Sequence, residues 1–424
     1  MHFRKNFATG PFVFASKKFN DRTLFGRGFP MPVSTANETL LRELRAVRAE
    51  SDRFFSIIKR EAIYDRPIHA RHRIVFYVGH LDGFDSIQIC RAGLGVKPID
   101  PDLDKLFEAG IDPDSGHLPT DQPSDWPTPQ EVKAYVERCR SHVDRYLEQA
   151  SDDVLRMALE HRFMHLETLA YMFHNLPFES KAGPSPRAAS GTGQAPNLWC
   201  IIPEGTAILG KPRDGEFGWD NEFEQHAELV SSFRMQRYAV TNGEYLEFIQ
   251  KAGTALPHFW LERPDGIYLR CMFGDVPLPM SWPVYVSNVE AAAYARAHGW
   301  RLPSEAEYHR ALTGAASNPQ DNVDFRSWDP QPVDAAPKSR SHYGVEQLVG
   351  NGWEWTSTPF GPFPGFQPSP TYPGYSANFF DGEHFVMKGG SARTAARLLR
   401  PSFRNWFRKD YPYMYAKFRC VENG

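Results

Sequence analysis

The sequence predicts an α+β protein of more than one domain, a helical first half followed by an irregular, β-rich second half. Three observations predict it. Residues 35–178 keep apolar stripes at helical spacing, residues 179–196 are rich in Gly, Pro and Ser with no apolar period, and residues 197–424 switch to short β-like runs crowded with aromatics and glycines. A chain of 424 residues is long enough for two or three domains with well-buried cores. Ahead of them, residues 1–34 read as a basic-aromatic arm that mixes Arg4, Lys5, Lys17 and Lys18 with Phe3, Phe7, Phe12 and Phe14. Such an arm can stack on nucleic acid, but packing across the protein's own domains is the expectation here.

The first half reads as helices over Thr39 to Arg60, about Ala70 to Cys90, Thr128 to Glu148 and Asp152 to Asn175. The third has a clear start, because Thr128 precedes Pro129 at the first helical position and Glu131 follows three residues after Thr128, the pattern of a capping box. Four long helices predict a bundle, whose interior is a usual place to build metal sites. The segment from Glu179 to Asn197 is expected to be a linker or long exposed loop. Beyond it the helical patterns are short, notably Thr241 to Ala252 and Asn288 to His298.

Composition narrows the function. A formal net charge of −3 provides no general basic field, so nucleic acid and anionic membranes are unfavoured as partners and small molecules are expected. The five cysteines, Cys90, Cys139, Cys200, Cys271 and Cys420, are widely spaced and contain no CxxC pair. That pattern suits a reducing cytoplasm and argues against a cysteine-ligated zinc or iron-sulfur centre. No stretch approaches the roughly 20 apolar residues that cross a bilayer, and the N-terminus lacks a secretory apolar region. The expectation is a cytoplasmic protein.

The chemistry centres on Glu160-His161-Arg162-Phe163-Met164-His165-Leu166-Glu167. Imidazoles at i and i+4 lie about one helical turn apart and can hold one metal ion. Glu167 lies roughly 200° round the helix from His165, which suits a supporting role better than ligation. A zinc-protease motif needs glutamate directly after the first histidine, and Arg162 stands there. The third ligand must come from elsewhere. His80, among apolar residues in Phe76-Tyr77-Val78-Gly79-His80-Leu81-Asp82, leads, with Asp82 and Asp85 as competing oxygen ligands for a two-histidine, one-carboxylate site. His69, His72 and His174 sit nearer helix ends, where solvated or capping roles are expected.

Tyr77-Val78-Gly79-His80, followed by His161 through Glu167, resembles the three-histidine iron site in the DinB-like domain of ergothioneine-type sulfoxide synthases. The second half resembles their other domain, of the formylglycine-generating-enzyme type with a C-type-lectin-like core. Its marks are Val240-Thr241-Asn242-Gly243-Glu244-Tyr245, Arg301 through Tyr308, Gly350-Asn351-Gly352-Trp353-Glu354-Trp355, Lys388-Gly389-Gly390-Ser391 and Phe418-Arg419. The resemblance implies a DinB-like four-helix bundle joined to that α+β domain. It also implies Fe(II) held by His80, His161 and His165, and an O2-dependent reaction joining C2 of hercynine, the trimethyl betaine of histidine, to a chalcogen donor. The cysteine chemistry of formylglycine-generating enzymes does not carry over, since Cys420 stands alone near the C-terminus.

Arg404-Asn405-Trp406 resembles the family's hercynine-binding segment, with Trp406 expected against the trimethylammonium, which ring faces hold without a hydrogen bond. Tyr411, Tyr413 and Tyr415 are candidates for the phenol that relatives use as a proton donor. The chain departs from sulfur-using members where Phe407 replaces an Asp that contacts a charged thiol and Met164 replaces a Gln. Those departures favour the selenoneine synthase branch, whose donor is a selenosugar, over use of γ-glutamylcysteine or cysteine. The contrasting expectation from another class is a non-catalytic metal- and ligand-binding module.

Overall fold

The computed structural model describes residues 35–108, 118–186, 198–315, 321–370 and 372–424. The 1–34 arm lies outside the described residues. Helix α1 (Thr35–Phe55) presents Leu40, Leu44, Val47, Ser51 and Phe54 along its buried face. α2 (Ile74–Asp85) is buried almost all round and continues as a π-helical stretch, Ser86–Gly93, instead of running as one α-helix to Cys90. π-turns of this kind concentrate at functional sites. α3 (Pro101–Glu108), not expected from the sequence, packs on α2, while α4 (Pro129–Tyr146) carries the expected capping box, with Thr128 N donating to Glu131 Oε2 at 2.8 Å. α5 (Asp152–Asn175) packs along α1.

Glycine decides how α2 and α3 meet. A Cβ at Gly79 would come within 2.4 Å of the Phe107 ring, so only glycine lets α3 settle this close to the turn that carries His80.

In the segment expected to be a linker, residues 182–185 are exposed and residues 187–197 lie outside the described residues, but its start is anchored. Lys181 is buried, forms a β-bridge with Ile58, and its Nζ donates to Phe173 O at 2.7 Å and His174 O at 3.1 Å. It thereby satisfies carbonyls that a helix end leaves open.

Strands β1 (Trp199–Ile202), β2 (Gly205–Leu209), β3 (His226–Val230) and β4 (Phe233–Gln236) precede α6 (Asn242–Ala252). Then come β5 (Trp260–Arg263), β6 (Gly266–Cys271), β7 (Gly274–Pro277), α7 (Asn288–Ala297) and α8 (Glu305–Ala311), and finally β8 (Trp353–Pro359), β9 (His384–Lys388), β10 (Asn405–Arg408), β11 (Ala416–Lys417) and β12 (Val421–Asn423). Among the described residues the sheets are β1-β4-β12, β10-β9-β8-β11, β2-β3 and β5-β6-β7. β11 runs parallel to β8, and β10 pairs antiparallel with β9 in the register Asn405 to Met387. Much of this half is irregular loop, pinned by buried ion clusters such as Arg419 with Glu354 and Arg404 with Glu305.

One hydrophobic core runs through both halves, from Leu44 and Phe173 to Trp355 and Phe418. α5 is its spine. Glu167 accepts from Trp353 Nε1 at 2.7 Å and Thr394 Oγ1 at 2.7 Å, and Tyr415 Oη reaches Ala170 O at 3.2 Å. Packing of the second half on α5 fixes what faces the histidines. No helix among the described residues is long and apolar enough to cross a membrane.

Candidate metal centre

His80 on α2 meets His161 and His165 on α5, all buried. His80 Nε2 lies 3.2 Å from His165 Nε2, which lies 3.1 Å from His161 Nε2. Three imidazole nitrogens thus converge on one point. Metal-nitrogen bonds of about 2.1 Å separate the nitrogens by about 3.0 Å at right angles and about 3.4 Å at tetrahedral angles. Both spacings fall in this range, and all three ligand atoms lie within 4.8 Å of one another, so the set can hold one metal ion.

Protonation favours ligation. Burial pushes His80 down to about 4, against the help of its bond to Phe107 O. Burial, then the neighbouring imidazoles, push His161 well below the ordinary histidine range, and burial with His80 does the same to His165. The three rings are neutral at pH 7, the form that binds metal. His80 Nδ1 donates to Phe107 O at 2.6 Å, which leaves the Nε2 lone pair facing the centre. His161 Nδ1 and His165 Nδ1 have no protein partner among the described residues.

The carboxylates weighed as alternative ligands are committed elsewhere. Arg162 Nη2 donates to Asp82 Oδ1 at 2.9 Å and Asp85 Oδ2 at 2.6 Å, and Arg140 also binds Asp82. Asp82 and Asp85 thus neutralise a buried guanidinium one residue from His161. His174, expected near a solvated helix end, is instead buried, between Tyr415 Oη at 3.1 Å and Arg270 O at 2.8 Å.

An aromatic wall beside the triad is built from Phe84 of α2 and from rings of the second half that reach Phe84 and Met164. Phe84 stacks on His161 with ring centroids 3.4 Å apart and meets Tyr372 edge-on at 5.6 Å. Tyr375 Oη donates to Met164 Sδ at 3.3 Å, and its ring meets Trp406 at 5.3 Å and 84°. Trp406 lies flat on Phe360, centroids 4.2 Å apart. Burial holds the Tyr375 hydroxyl well above its ordinary range, so it stays protonated.

The other expected residues divide. Phe407 meets Tyr171 and Tyr411, and the Arg71 guanidinium lies 5.8 Å from its ring centroid. Arg71 also donates to Tyr411 Oη at 3.1 Å and Tyr171 Oη at 3.2 Å, which puts Tyr411 beside α5 beyond His165. Tyr413 packs on His258 and Tyr411. The Tyr415 hydroxyl is directed at Ala170 and His174, over a turn of helix beyond the triad. Asn405 Oδ1 accepts from Trp406 N at 2.9 Å. Arg404 lies in the segment expected at the substrate, yet its guanidinium binds Glu305 through Nε and Nη2, each at 3.0 Å. Sequence reasoning missed Tyr372 and Tyr375, whose loop carries no periodic signal. The described cysteines are buried and free, and burial pushes the Cys420 thiol up, away from nucleophilic use.

Residues 191–424 match the sulfatase-modifying factor enzyme 1-like domain. Ergothioneine biosynthesis protein 1 of Schizosaccharomyces pombe is 30% identical, over 87% of this chain and 54% of that protein. The hercynine oxygenases of Mycolicibacterium thermoresistibile and Mycolicibacterium smegmatis are each 31% identical, over 82% and 91% of this chain and 86% and 98% of theirs. The chain spans about half the length of the fungal proteins it matches.

Proposed function

The chain belongs to the hercynine oxygenase family, with a sulfatase-modifying-factor-type domain over residues 191–424, and we propose that it is an iron- and O2-dependent enzyme joining C2 of hercynine to a chalcogen donor. The observation that carries this reading is the convergence of three neutral imidazole nitrogens beneath an aromatic wall. On this reading residues 35–178 are a DinB-like metal-bearing bundle and residues 197–424 supply substrate contacts. His80, His161 and His165 hold the metal, and Fe(II) bound there would supply, at positions the protein leaves open, redox chemistry that zinc lacks.

The chain's own groups have separable tasks. The ring faces of Trp406 and Tyr375 hold the trimethylammonium, a cation with no N–H to donate. Asn405 keeps its amide N–H groups for the imidazole or carboxylate of the same molecule. Tyr375 holds its proton at Oη against a weak sulfur acceptor, which makes that hydroxyl a proton donor at neutral pH, with Tyr411 as the second candidate. Phe84 and Tyr372 exclude water on the His161 side.

For the donor we favour a selenosugar. Support comes from Phe407 and the neutral aromatic lining beside it, which suit a polyhydroxyl ring better than an ionised thiol carrying carboxylates. The Arg71 guanidinium nearby is the feature that favours the alternative, a γ-glutamylcysteine or cysteine donor. Purified protein loaded with Fe(II) is given hercynine, O2 and, in competition, a selenosugar, γ-glutamylcysteine and cysteine, with products read by mass spectrometry. A selenium adduct is expected to dominate. A sulfoxide adduct would reassign the donor, and the absence of any adduct would return the chain to a binding role.

A further inference from the structure

Glu160, immediately before His161, is 3% exposed and makes no contact with the triad that would explain a carboxylate there. Its Oε2 accepts from Trp219 Nε1 at 2.8 Å, and Arg400 donates to both its oxygens, at 2.8 and 3.0 Å. Arg400 also binds Glu222 through Nε at 2.8 Å, and Glu222 Oε1 accepts from Trp219 N at 2.8 Å. Trp219 is therefore held twice, by its backbone N–H on Glu222 and by its indole N–H on Glu160. Its face lies against Tyr375, with centroids 4.0 Å apart and planes 21° from parallel. The next residue, Asp220, accepts from Ser376 Oγ and from Ser369 N, which fixes the ends of the loop that carries Tyr372 and Tyr375.

We infer that Glu160 and Trp219 are positioning residues, which set the ring of Tyr375 against Met164 and Trp406 and so shape the substrate wall. The physical argument is one of register. An irregular loop cannot fix a side chain to a fraction of an ångström unless rigid elements hold it, and precise placement of a reacting group is worth orders of magnitude in rate. Here the rigid element is the same helix that carries two of the histidines. The hydrogen bond to Glu160 fixes the plane of the indole, the stack passes that plane to Tyr375, and the phenol oxygen falls at Met164 Sδ. The wall and the triad are thus referenced to one helix. The role in substrate binding rests on the function proposed above, whereas the positioning of Tyr375 does not.

The same helix supplies a control. Trp353 Nε1 donates to Glu167 Oε1 at 2.7 Å, an indole–carboxylate bond of the same chemistry that ends away from Tyr375. The full chain is compared as wild type, Trp219→Phe, Glu160→Gln, Ser376→Ala and Trp353→Phe. Tyr375 nitration by tetranitromethane is mapped by peptide mass spectrometry, and hercynine affinity is measured by calorimetry on zinc-loaded protein. Trp219→Phe keeps a ring but loses the indole donor, and is expected to raise the nitration rate of Tyr375 and weaken hercynine each by about tenfold. Glu160→Gln keeps an acceptor for Nε1 but sets its amide N–H against one Arg400 donor, and is expected to fall between wild type and Trp219→Phe in both quantities, while Trp353→Phe should change neither by more than about twofold.

Equal nitration of Tyr375 in Trp219→Phe and Trp353→Phe would overturn the proposal. So would faster nitration with unchanged hercynine affinity, since the relay would then not serve the site. Should Trp219→Phe not fold, Ser376→Ala cuts the second tie to the loop and is expected to raise nitration about threefold, with no rise again overturning the proposal. If wild type fails to bind hercynine, the functional reading falls, and the nitration rates still decide the positioning claim.

Discussion

Between strands β8 and β11, Glu354 sits fully buried with Arg419, whose Nε donates to its two oxygens at 3.0 and 2.9 Å, and with Lys417 Nζ 3.7 Å away. Between helices α2 and α5, three imidazoles are buried as deeply, yet their Nε2 atoms face one another. The first arrangement is self-complementary: opposite charges meet and spare donors go to backbone carbonyls at Gln347 and Gly350. The second is so only in part: His80 Nε2 is a lone pair because its proton sits on Nδ1, and three Nε2 atoms that face one another cannot all be paired among themselves. Burying like acceptors against one another costs free energy that packing must offset. Three buried imidazole ligand atoms within 4.8 Å of one another mark a place for an electron-pair acceptor, and a metal ion is one.

The largest effect expected from breaking this comparison is at the triad. His165→Ala removes one of the three ligands without leaving a buried charge. It should lower O2 consumption with hercynine by roughly three orders of magnitude or more and abolish stoichiometric iron uptake. The metal-free variant should keep its helical circular dichroism. Oxygen consumption at wild-type rates would remove the triad from the reaction.

The corresponding break in the second half is a stability effect. Glu354→Ala strands the Arg419 guanidinium and the Lys417 ammonium, both 0% exposed, against carbonyls alone. Removing one partner of a buried pair costs about 3–5 kcal/mol, and denaturant unfolding should show it. Metal uptake by whatever fraction remains folded should be unchanged. A cost below about 1 kcal/mol would mean that Lys417 gives up its proton instead, a route open because burial already lowers it to about 8.

Legibility in the sequence differs between these regions for physical reasons. His161 and His165 were readable because helical spacing alone puts them on one face, and the capping box at Thr128 announced its helix. His80 was readable as a candidate but not separable from Asp82 and Asp85 by pattern, since what decides among them is Arg162, whose partners lie 80 and 77 residues away. α3 escaped notice as a stretch of eight residues, too short for a periodic signal, although its Phe107 fixes the tautomer of His80. Tyr372 and Tyr375 were invisible for a stronger reason. Their loop is set by Asp220, 149 residues from Ser369 and 156 from Ser376, and no local pattern encodes a contact at that range.

Acid titration sharpens the contrast with the smallest of these effects. A histidine whose folded pKa lies below its unfolded value destabilises the fold as pH falls, because the unfolded chain takes up a proton that the folded chain refuses. For His80 the loss begins near the unfolded value of about 6.5 and is complete near 4, where the folded form also protonates, a total of about 3 kcal/mol. His161, His165 and His174 are lowered as well and act in the same direction from the same starting pH. The buried lysines Lys388 and Lys417, each lowered to about 8, take effect only above that window, so they do not confound it. Asp85, Glu160 and Glu167, which burial holds above the usual carboxyl range, act in the opposite direction in wild type and variant alike. The histidine contribution is therefore read as a difference: metal-free His165→Ala, with one fewer buried imidazole, should lose stability below pH 6.5 with a shallower slope than metal-free wild type. Equal slopes in the two proteins would mean that His165 is not held neutral by its surroundings, and the claim that the triad is an incomplete set of lone pairs would lose its basis.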